Sequence, residues 1–332
     1  MISPHRLLTL LACLSCLGAS ISRSVAENPF IGRWALTIPG GHAGWLGVEE
    51  VEGRLRGHIL WGGGSVLPVD GVAVAGDTLT ITRLAKAKKK DPAGQEKTET
   101  TTETITATLS GETMNLVTEK AKGDGKPFGR AEFTGHRIAA LPTRPDLAKV
   151  KFGAPVTLFN GRDLSGWRLT NPDADNGWSV QDGVLMNRVV PGKHHGNLRT
   201  DAQFDDFNLT LEVRTQEGSN SGVYLRGIYE VQIAETFGKA LDPHNMGALY
   251  SRITPSVAAE KPIGEWQTLE ITLVDRHLTV VLNGQTIIAN QPVLGCTGGA
   301  LTSDESKPGP LFLQGDHTNI DYRNLLLRPV VK

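Results

Sequence analysis

The feature that most constrains the fold is a succession of short runs in which apolar and polar residues alternate. A period of two is that of a β-strand with one buried face, whereas an amphipathic helix repeats every 3.6 residues. Turn signals separate the runs, and no segment keeps a helical period. The 38 glycines and 18 prolines among 332 residues supply the turns that many short strands require. We therefore predict an all-β chain that is long enough for two domains.

The first block of strands, within residues 27–140, predicts a small antiparallel barrel or sandwich. Residues 57–61 and 104–109 alternate as half-buried strands do. The Gly-x-Trp pattern of residues 32–34 resembles the opening of lipocalin-type barrels. A lysine-rich run at residues 86–90 is predicted to be the solvated tip of a hairpin, with a polyanion contact as the alternative. No role is assigned to this domain.

A linker and a second block of strands follow. Pro142 and Pro145 interrupt helix and central strand alike, so residues 141–155 are predicted to be a linker. From residue 156 to residue 332, strands end in tight-turn pairs such as Asp182-Gly183 and Asn283-Gly284. Dense strands without helices between them predict a sandwich of two antiparallel sheets.

The N-terminus, residues 1–26, has the pattern of an export signal. A polar and basic start precedes an apolar run over residues 7–17, and small residues at Ser24 and Ala26 predict cleavage after Ala26. The apolar run is too short to span a bilayer in the mature chain. An uncleaved anchor and a lipoprotein signal ending at Cys13 are the alternatives. We expect an exported protein, periplasmic or extracellular.

Charge and cysteine content narrow the function further. The formal net charge is −1, which does not favour binding to nucleic acid or to a membrane surface. Only Cys296 lies beyond the predicted cleavage site, so no internal disulfide is expected. Cys296 is interpreted as a core or turn residue rather than a nucleophile.

Ordered motifs in the second block carry a resemblance to a known family. They are residues 158–167, 220–227, 229–233, 264–267, 282–284, 309–314, 316–317 and 322–324. Their order and spacing resemble the 3-keto-disaccharide hydrolase family, whose fold is a concanavalin A-like jelly roll. One departure is the segment Gln314-Gly315-Asp316-His317-Thr318. The family reads Leu-Gln-Asp-His-Gly there, without the inserted glycine.

The resemblance implies cleavage of glycosides that are oxidised at C3 of the sugar. A ketone at C3 makes the C2 proton acidic, so a base can form an enolate that expels the group on C1. Addition of water then completes a net hydrolysis. This route needs a base, a group that stabilises the enolate oxygen and an acid near the leaving group. It differs from the paired-carboxylate scheme of most glycosidases.

The candidate site residues begin with residues 224–232, interpreted as one strand. Alternation then places Tyr224, Arg226, Glu230 and Gln232 on one polar face. Glu230 is the candidate base, and Arg226 is the candidate group for the enolate or for sugar hydroxyls. Tyr224 and Gln232 are candidate substrate-binding residues. The alternative is an Arg–Glu pair on a solvated sheet face.

Further candidates lie outside that strand. His317 is a candidate for proton transfer, because an imidazole titrates near neutrality, and Asp316 stands beside it. A loop histidine bound to backbone groups is the alternative. Glu235 is a second acid candidate, and Tyr250 is a candidate for stacking on a sugar ring.

Metal and cofactor requirements are left open by the sequence. His194 and His195 are adjacent and point to opposite sides of an extended chain, which favours a solvated loop over one metal site. No cofactor is evident, and a divalent metal bound by oxygen ligands remains an alternative. The partner expected is an oxidised oligosaccharide or glycoside. A non-catalytic carbohydrate-binding domain is the main alternative to an enzyme, and a structural surface protein is the third.

Overall fold

The computed structural model describes residues 28–90, 95–123 and 125–331. The export signal predicted for residues 1–26 lies outside these ranges. Every regular element in the described ranges is a β-strand, so the predicted all-β class is confirmed. Within the same ranges, no helix is long and apolar enough to span a membrane.

Nine antiparallel strands form the first unit within the described residues up to 137. They are β1 Gly32–Ile38, β2 His42–Val51, β3 Arg54–Trp61, β4 Leu67–Pro68, β5 Gly71–Ala75, β6 Thr78–Lys90, β7 Glu96–Ser110, β8 Thr113–Lys122 and β9 Pro127–Arg137. Their order in the sheet is β4-β3-β2-β1-β9-β8-β7-β6-β5. β4 and β5 are consecutive in the chain yet stand at opposite ends of that order.

The segment between β4 and β5 closes this sheet into a barrel. Val69 donates its backbone N–H to Gly57 of β3, and Asp70 donates its own to Thr82 of β6, both at 2.9 Å. The two edges of the sheet therefore meet at consecutive residues. Buried side chains such as Trp34 fill the interior, as the alternation predicted.

The lysine-rich run of the barrel is not the hairpin tip that the sequence predicted. β6 continues to Lys90, and Lys86 and Lys88 pair with Thr100 and Thr98 of β7. Threonine, which recurs along β7, is favoured in strands, so the partner strand extends the ladder through the charged run. The prediction of a loop at residues 86–90 was therefore wrong.

Two antiparallel sheets form the second unit. The eight-stranded sheet contains β10 Val156–Thr157, β12 Trp178–Gln181, β13 Val184–Asn187, β15 Phe207–Arg214, β18 Trp266–Val274, β19 His277–Leu282, β20 Gln285–Pro292 and β22 Ile320–Pro329. The five-stranded sheet contains β11 Trp167–Leu169, β14 Leu198–Thr200, β16 Asn220–Leu225, β17 Tyr229–Ala234 and β21 Phe312–Leu313, in the order β11-β14-β21-β16-β17.

The two sheets pack face to face around one apolar core. Val223 and Val231 of the smaller sheet share this core with Ile271 and Leu209 of the larger one. The predicted jelly-roll sandwich is confirmed by this arrangement. The opposite face of the smaller sheet carries polar side chains, and it is this face that bears the candidate site.

The barrel packs directly against the sandwich. Trp45 and Leu60 of the barrel belong to the buried cluster of the sandwich, and Arg252 stacks on Trp45 with its guanidinium carbon 4.4 Å from the ring centre. Ser303 of the sandwich donates its hydroxyl to the Leu36 carbonyl at 2.8 Å. The domain boundaries proposed from the sequence stay a prediction, because the two units share part of a core.

Candidate active site

Residues 224–232 form a hairpin rather than the single strand that was predicted. β16 ends at Leu225 and β17 begins at Tyr229, with Arg226 in the turn at a φ of 55°. Tyr224 pairs with Glu230, and Gly222 pairs with Gln232. Because paired residues share a face, Tyr224, Glu230 and Gln232 are brought together as predicted, whereas the placement of Arg226 with them was wrong.

Neighbouring strands extend this polar face on one side of the hairpin. Phe312 of β21 pairs with Tyr224, and the two rings stack with centroids 3.7 Å apart. Phe312 also pairs with Arg199 of β14. Arg199 therefore lies on the same face as Tyr224 and Glu230.

Tyr250 joins the face from the other side. Leu249 forms a bridge with Val231, and the backbone N–H of Tyr250 donates to the carbonyl of Glu230 at 3.0 Å. Residues next to a bridged pair point away from it, so Tyr250 and Glu230 point to the same side. Tyr250 is partly exposed there, as a ring that contacts a ligand must be.

The carboxyl of Glu230 is buried at the floor of the site and is only 3% exposed. Burial raises its pKa from 4.5 to about 8, the neighbouring Tyr224 side chain acts in the opposite direction, and the charge of Asp316 raises the pKa further. Thr297 accepts the backbone N–H of Glu230 at 2.9 Å. A carboxyl with this pKa is a stronger base than an ordinary glutamate, and part of it is ionised at neutral pH.

Gln232 holds the carboxyl in either protonation state. One atom of its side-chain amide lies 3.1 Å from Oε1 of Glu230. With the amide nitrogen turned toward it, Gln232 donates to the carboxylate; with the amide oxygen turned toward it, Gln232 accepts from the protonated acid. Gln232 can therefore follow the transfer of a proton without moving its backbone.

His317 and Asp316 form the exposed rim of the site. Nδ1 of His317 lies 2.5 Å from Oδ1 of Asp316, and their side chains are 47% and 40% exposed. The hydrogen bond to Asp316 raises the pKa of His317 above its usual value of 6.5, against a smaller opposing effect of burial. With Nδ1 occupied by Asp316, Nε2 is the nitrogen left to exchange a proton with a ligand.

The inserted Gly315 has a structural reason. A Cβ at this position would lie 2.7 Å from the ring of Trp178. The backbone N–H of Gly315 donates to Asn197 at 2.8 Å, and its carbonyl accepts from Asn187 at 2.9 Å. The loop that carries Asp316 is therefore anchored on a buried tryptophan and two asparagines.

Arg226 and Glu235 are not brought to the Glu230 carboxyl. Arg226 is 3% exposed, and its guanidinium donates to the carbonyls of Glu305 and Lys307, the first at 2.7 Å. It thus ties the turn of the hairpin to residues 305–307. Glu235 lies beyond the end of β17 and forms an ion pair with Lys239 at 3.3 Å. The role of Arg226 toward the enolate or sugar hydroxyls, and that of Glu235 as a second acid, stay predictions.

Arg199 and Gln314 are site residues that the sequence analysis missed. Nε of Arg199 and Oε1 of Gln314 are buried, and neither has a hydrogen-bond partner in the described part of the chain. Gln314 donates its backbone N–H to Gly222, beside the Glu230 carboxyl. The sequence offered little signal, because Arg199 lies in a strand of only three residues, between the buried Leu198 and Thr200.

The metal site and the cysteine nucleophile considered in the sequence analysis can be compared with the described residues. In residues 28–90, 95–123 and 125–331, no group of three or more His, Cys, Asp or Glu side chains could hold a metal ion. His195 accepts the backbone N–H of Val190 at 2.8 Å, so it fixes its own loop. Burial raises the pKa of the Cys296 thiol to about 12, which makes it a poor nucleophile.

The sequence profile of the family described as the 3-keto-alpha-glucoside-1,2-lyase-like domain matches residues 154–328. The chain belongs to this family. The resemblance inferred from the ordered motifs is thereby confirmed. The matched residues include the strands of the sandwich up to residue 328 and no strand of the barrel.

Individual relatives are more distant. A 3-keto-disaccharide hydrolase of Bacteroides thetaiotaomicron is 25% identical over 163 residues, which cover 39% of this chain and 55% of the relative. The chain thus spans about half the length of that curated relative. A crystal structure from Parabacteroides distasonis, provisionally called a glycosyl hydrolase, shares 26% identity with a TM-score of 0.44, covering 58% of this chain and 94% of its own. The carbohydrate-binding module CBM66 of Bacillus subtilis shares 13% identity with a TM-score of 0.34, covering 48% of this chain and 93% of its own.

Proposed function

We propose that this protein cleaves the glycosidic bond of 3-keto-glycosides, such as oxidised disaccharides, by elimination followed by hydration. The observation that carries the proposal is the buried Glu230 carboxyl, whose pKa burial raises to about 8, close enough to the exposed His317–Asp316 pair for the charge of Asp316 to raise that pKa further. Membership of a family described by 3-keto-glucoside cleavage supports the substrate class.

Glu230 acts first, as the base that removes the C2 proton. A base works best when its pKa is near the working pH, because it is then both ionised and strongly basic. The electron pair of the C2–H bond becomes the C2–C3 double bond of an enolate, and negative charge moves to the C3 oxygen. Arg199, whose buried Nε lacks a partner in the described residues, stabilises that oxygen.

His317 acts next, as the acid. The enolate re-forms the ketone and makes a C1–C2 double bond, which breaks the bond from C1 to the leaving oxygen. The imidazolium of His317 donates a proton to that oxygen. Water then adds its oxygen to C1, and C2 regains a proton, so the balance is one glycoside and one water to one alcohol and one 3-keto sugar.

Residues 1–26 are proposed to direct export to the periplasm or beyond. N-terminal sequencing of the protein from fractionated cells tests this proposal. A mature chain that begins at Glu27 is the expected result, and an intact Met1 in the exported fraction contradicts cleavage.

The decisive experiment measures release of the leaving group from 3-keto-trehalose and from a chromogenic 3-keto-glucoside, with and without a chelator. Unoxidised trehalose is the control, since without the ketone its C2 proton is not acidic. We expect turnover of the ketones alone, exchange of C2 hydrogen in deuterated water, and loss of both in Glu230→Gln. Glu270→Gln, an exposed change on the other sheet, is the matched control.

Two results decide against the proposal. Binding of the 3-keto sugars without cleavage identifies a carbohydrate-binding domain instead. Turnover that survives in both Glu230→Gln and His317→Ala shows that the site is assigned to the wrong residues. Loss of activity with chelator, restored by a divalent cation, adds a metal requirement to the reaction.

A further inference from the structure

The barrel sends one loop to the rim of the candidate active site. Residues 62–66, Gly-Gly-Gly-Ser-Val, connect β3 with β4. Val66 donates its backbone N–H to the hydroxyl of Ser251 at 2.9 Å, and Gly62 accepts the N–H of Gly299 at 3.4 Å. A Cβ on Gly298 would lie 2.2 Å from the carbonyl oxygen of Gly64. Backbone therefore meets backbone here, with no room for a side chain.

A single residue, Tyr224, connects this contact with the candidate base Glu230. The carbonyl of Gly298 accepts the hydroxyl of Tyr224 at 2.7 Å, and Tyr224 pairs with Glu230 across the hairpin. A Cβ on Gly299 would lie 2.6 Å from the same hydroxyl. The loop of the barrel thus packs against Gly298 and Gly299, the two residues that contact the Tyr224 hydroxyl.

Ser65 of this loop forms a polar chain with two residues of the sandwich. Its Oγ lies 2.9 Å from Nε2 of His244, and Nδ1 of His244 lies 2.9 Å from Oδ1 of Asp242. With Nδ1–H donated to Asp242, Nε2 accepts the Ser65 hydroxyl proton. The lone pairs of Ser65 Oγ are then free to accept from a ligand.

An aromatic ring stands beside this chain. The ring of His244 meets the ring of Tyr250 edge to face, with centroids 4.9 Å apart. Tyr250 belongs to the same polar face as Glu230, and Ser65, His244 and Tyr250 are all partly exposed. A hydroxyl, an imidazole and an aromatic ring at one rim can hydrogen-bond and stack on a sugar.

We propose that Ser65, His244 and Tyr250 form a subsite for the second sugar of the substrate, the one that leaves. The identity of the ligand rests on the proposed function, whereas the subsite itself rests on these contacts. The barrel then contributes a specificity-determining residue to a site whose chemistry lies in the sandwich. Matching of the family profile begins only at residue 154, so Ser65 is outside the family domain.

Ser65, His244 and Asp242 are linked in the same order as the serine, histidine and aspartate of the catalytic triad of serine hydrolases. In those enzymes the aspartate is buried, where it holds the imidazole in one orientation. Here the side chain of Asp242 is 55% exposed and that of His244 is 41% exposed. This exposure favours binding of hydroxyl groups over activation of Ser65 as a nucleophile.

The test compares two leaving groups. Ser65→Ala is expected to lower kcat/KM for a 3-keto-disaccharide roughly tenfold, since a hydrogen bond of about 1.4 kcal/mol corresponds to that factor. The leaving group of a nitrophenyl 3-keto-glucoside has no hydroxyl for Ser65 to bind, so kcat/KM for this substrate should not change. Ser110→Ala, an exposed change at the end of β7, should affect neither substrate. An equal loss on both substrates, or no loss on either, overturns the subsite.

A binding measurement separates this inference from the proposed function. If the wild type cleaves neither substrate, the proposed function is wrong, but the subsite is not yet tested. Calorimetry with the 3-keto-disaccharide then still tests the subsite, and we expect Ser65→Ala and His244→Ala to bind it roughly tenfold more weakly than wild type. Equal affinities in the variants, or no binding by the wild type, overturn the subsite whatever the reaction is.

Discussion

A Cβ placed on Gly222 would lie 2.3 Å from Oε1 of Glu230. The carboxyl of Glu230 therefore occupies the space that a side chain at residue 222 would need. The backbone conformation does not require a glycine here, because the φ of Gly222 is not positive. Gly222 is explained by the position of the carboxyl alone.

Gly222→Ala should consequently displace the carboxyl while leaving the hairpin paired. A displacement of about 1 Å from the reacting geometry costs on the order of 100-fold in rate, so kcat should fall by about that factor. Steady-state kinetics on the chromogenic 3-keto-glucoside measure it. Gly129→Ala is the matched control, since a Cβ there meets nothing within 4 Å. Unchanged turnover in Gly222→Ala contradicts the placement of Glu230 as base.

Glu230 should also make stability depend on pH. Its pKa is about 8 in the folded protein and near 4.5 when unfolded, so the folded state holds the proton more tightly. The stabilising contribution is complete below about pH 4.5 and is lost as the pH rises toward 8, by about 1.4 kcal/mol for each pH unit between these two values. Glu230→Gln has no proton to lose. The free energy of unfolding of Glu230→Gln, relative to that of the wild type, should therefore increase with pH in this window.

Urea denaturation at about pH 5, 7 and 9 measures that difference in the free energy of unfolding. Glu270→Gln, an exposed change on the other sheet, is the control variant for this comparison. A constant difference for Glu230→Gln means that the Glu230 pKa is not raised by folding.

Asp316 affects both titrating groups of the site in the same direction. Its charge raises the pKa of His317 and also raises that of Glu230. Asp316→Asn should therefore move both limbs of the kcat/KM profile to lower pH. The pH–rate profile measures this change, and the exposed Asp173→Asn is the control. Movement of one limb only shows that Asp316 acts on one of the two groups.

The polar face of the site was predictable because of an even spacing. Tyr224 and Glu230 are six residues apart, so they share a face on a continuous strand. They also share it in the observed hairpin, where they are directly paired. Arg226 occupies the turn instead, beside Gly227 at a φ of 68°, and a single glycine within an alternating run does not by itself show where a turn falls. The polar face was therefore correct, and the continuous strand was wrong.

The rest of the site depends on contacts between distant residues. Arg199 reaches the face through Phe312, and Ser65 reaches it from another unit of the fold. Arg199 and Phe312 lie on strands of three and two residues, too short for alternation to identify. Strand order in a sheet is determined by packing that one sequence does not reveal. The closure of the barrel between β4 and β5 escaped prediction for the same reason. Gly315 was recognised as an insertion, but its contact with Trp178 was not.

Arg199→Met is the sharpest test of the enolate step. The change removes the charge that stabilises the C3 oxygen and keeps a long apolar side chain beside Phe312. Removing one such group typically costs on the order of 100-fold in kcat, with a smaller effect on binding of the ground state. Both leaving-group release and C2 hydrogen exchange should slow together, since the enolate forms in the first step. Arg328→Met, an exposed change on β22, should alter neither. Slower release with unchanged C2 exchange places Arg199 after enolate formation and refutes the role proposed for it.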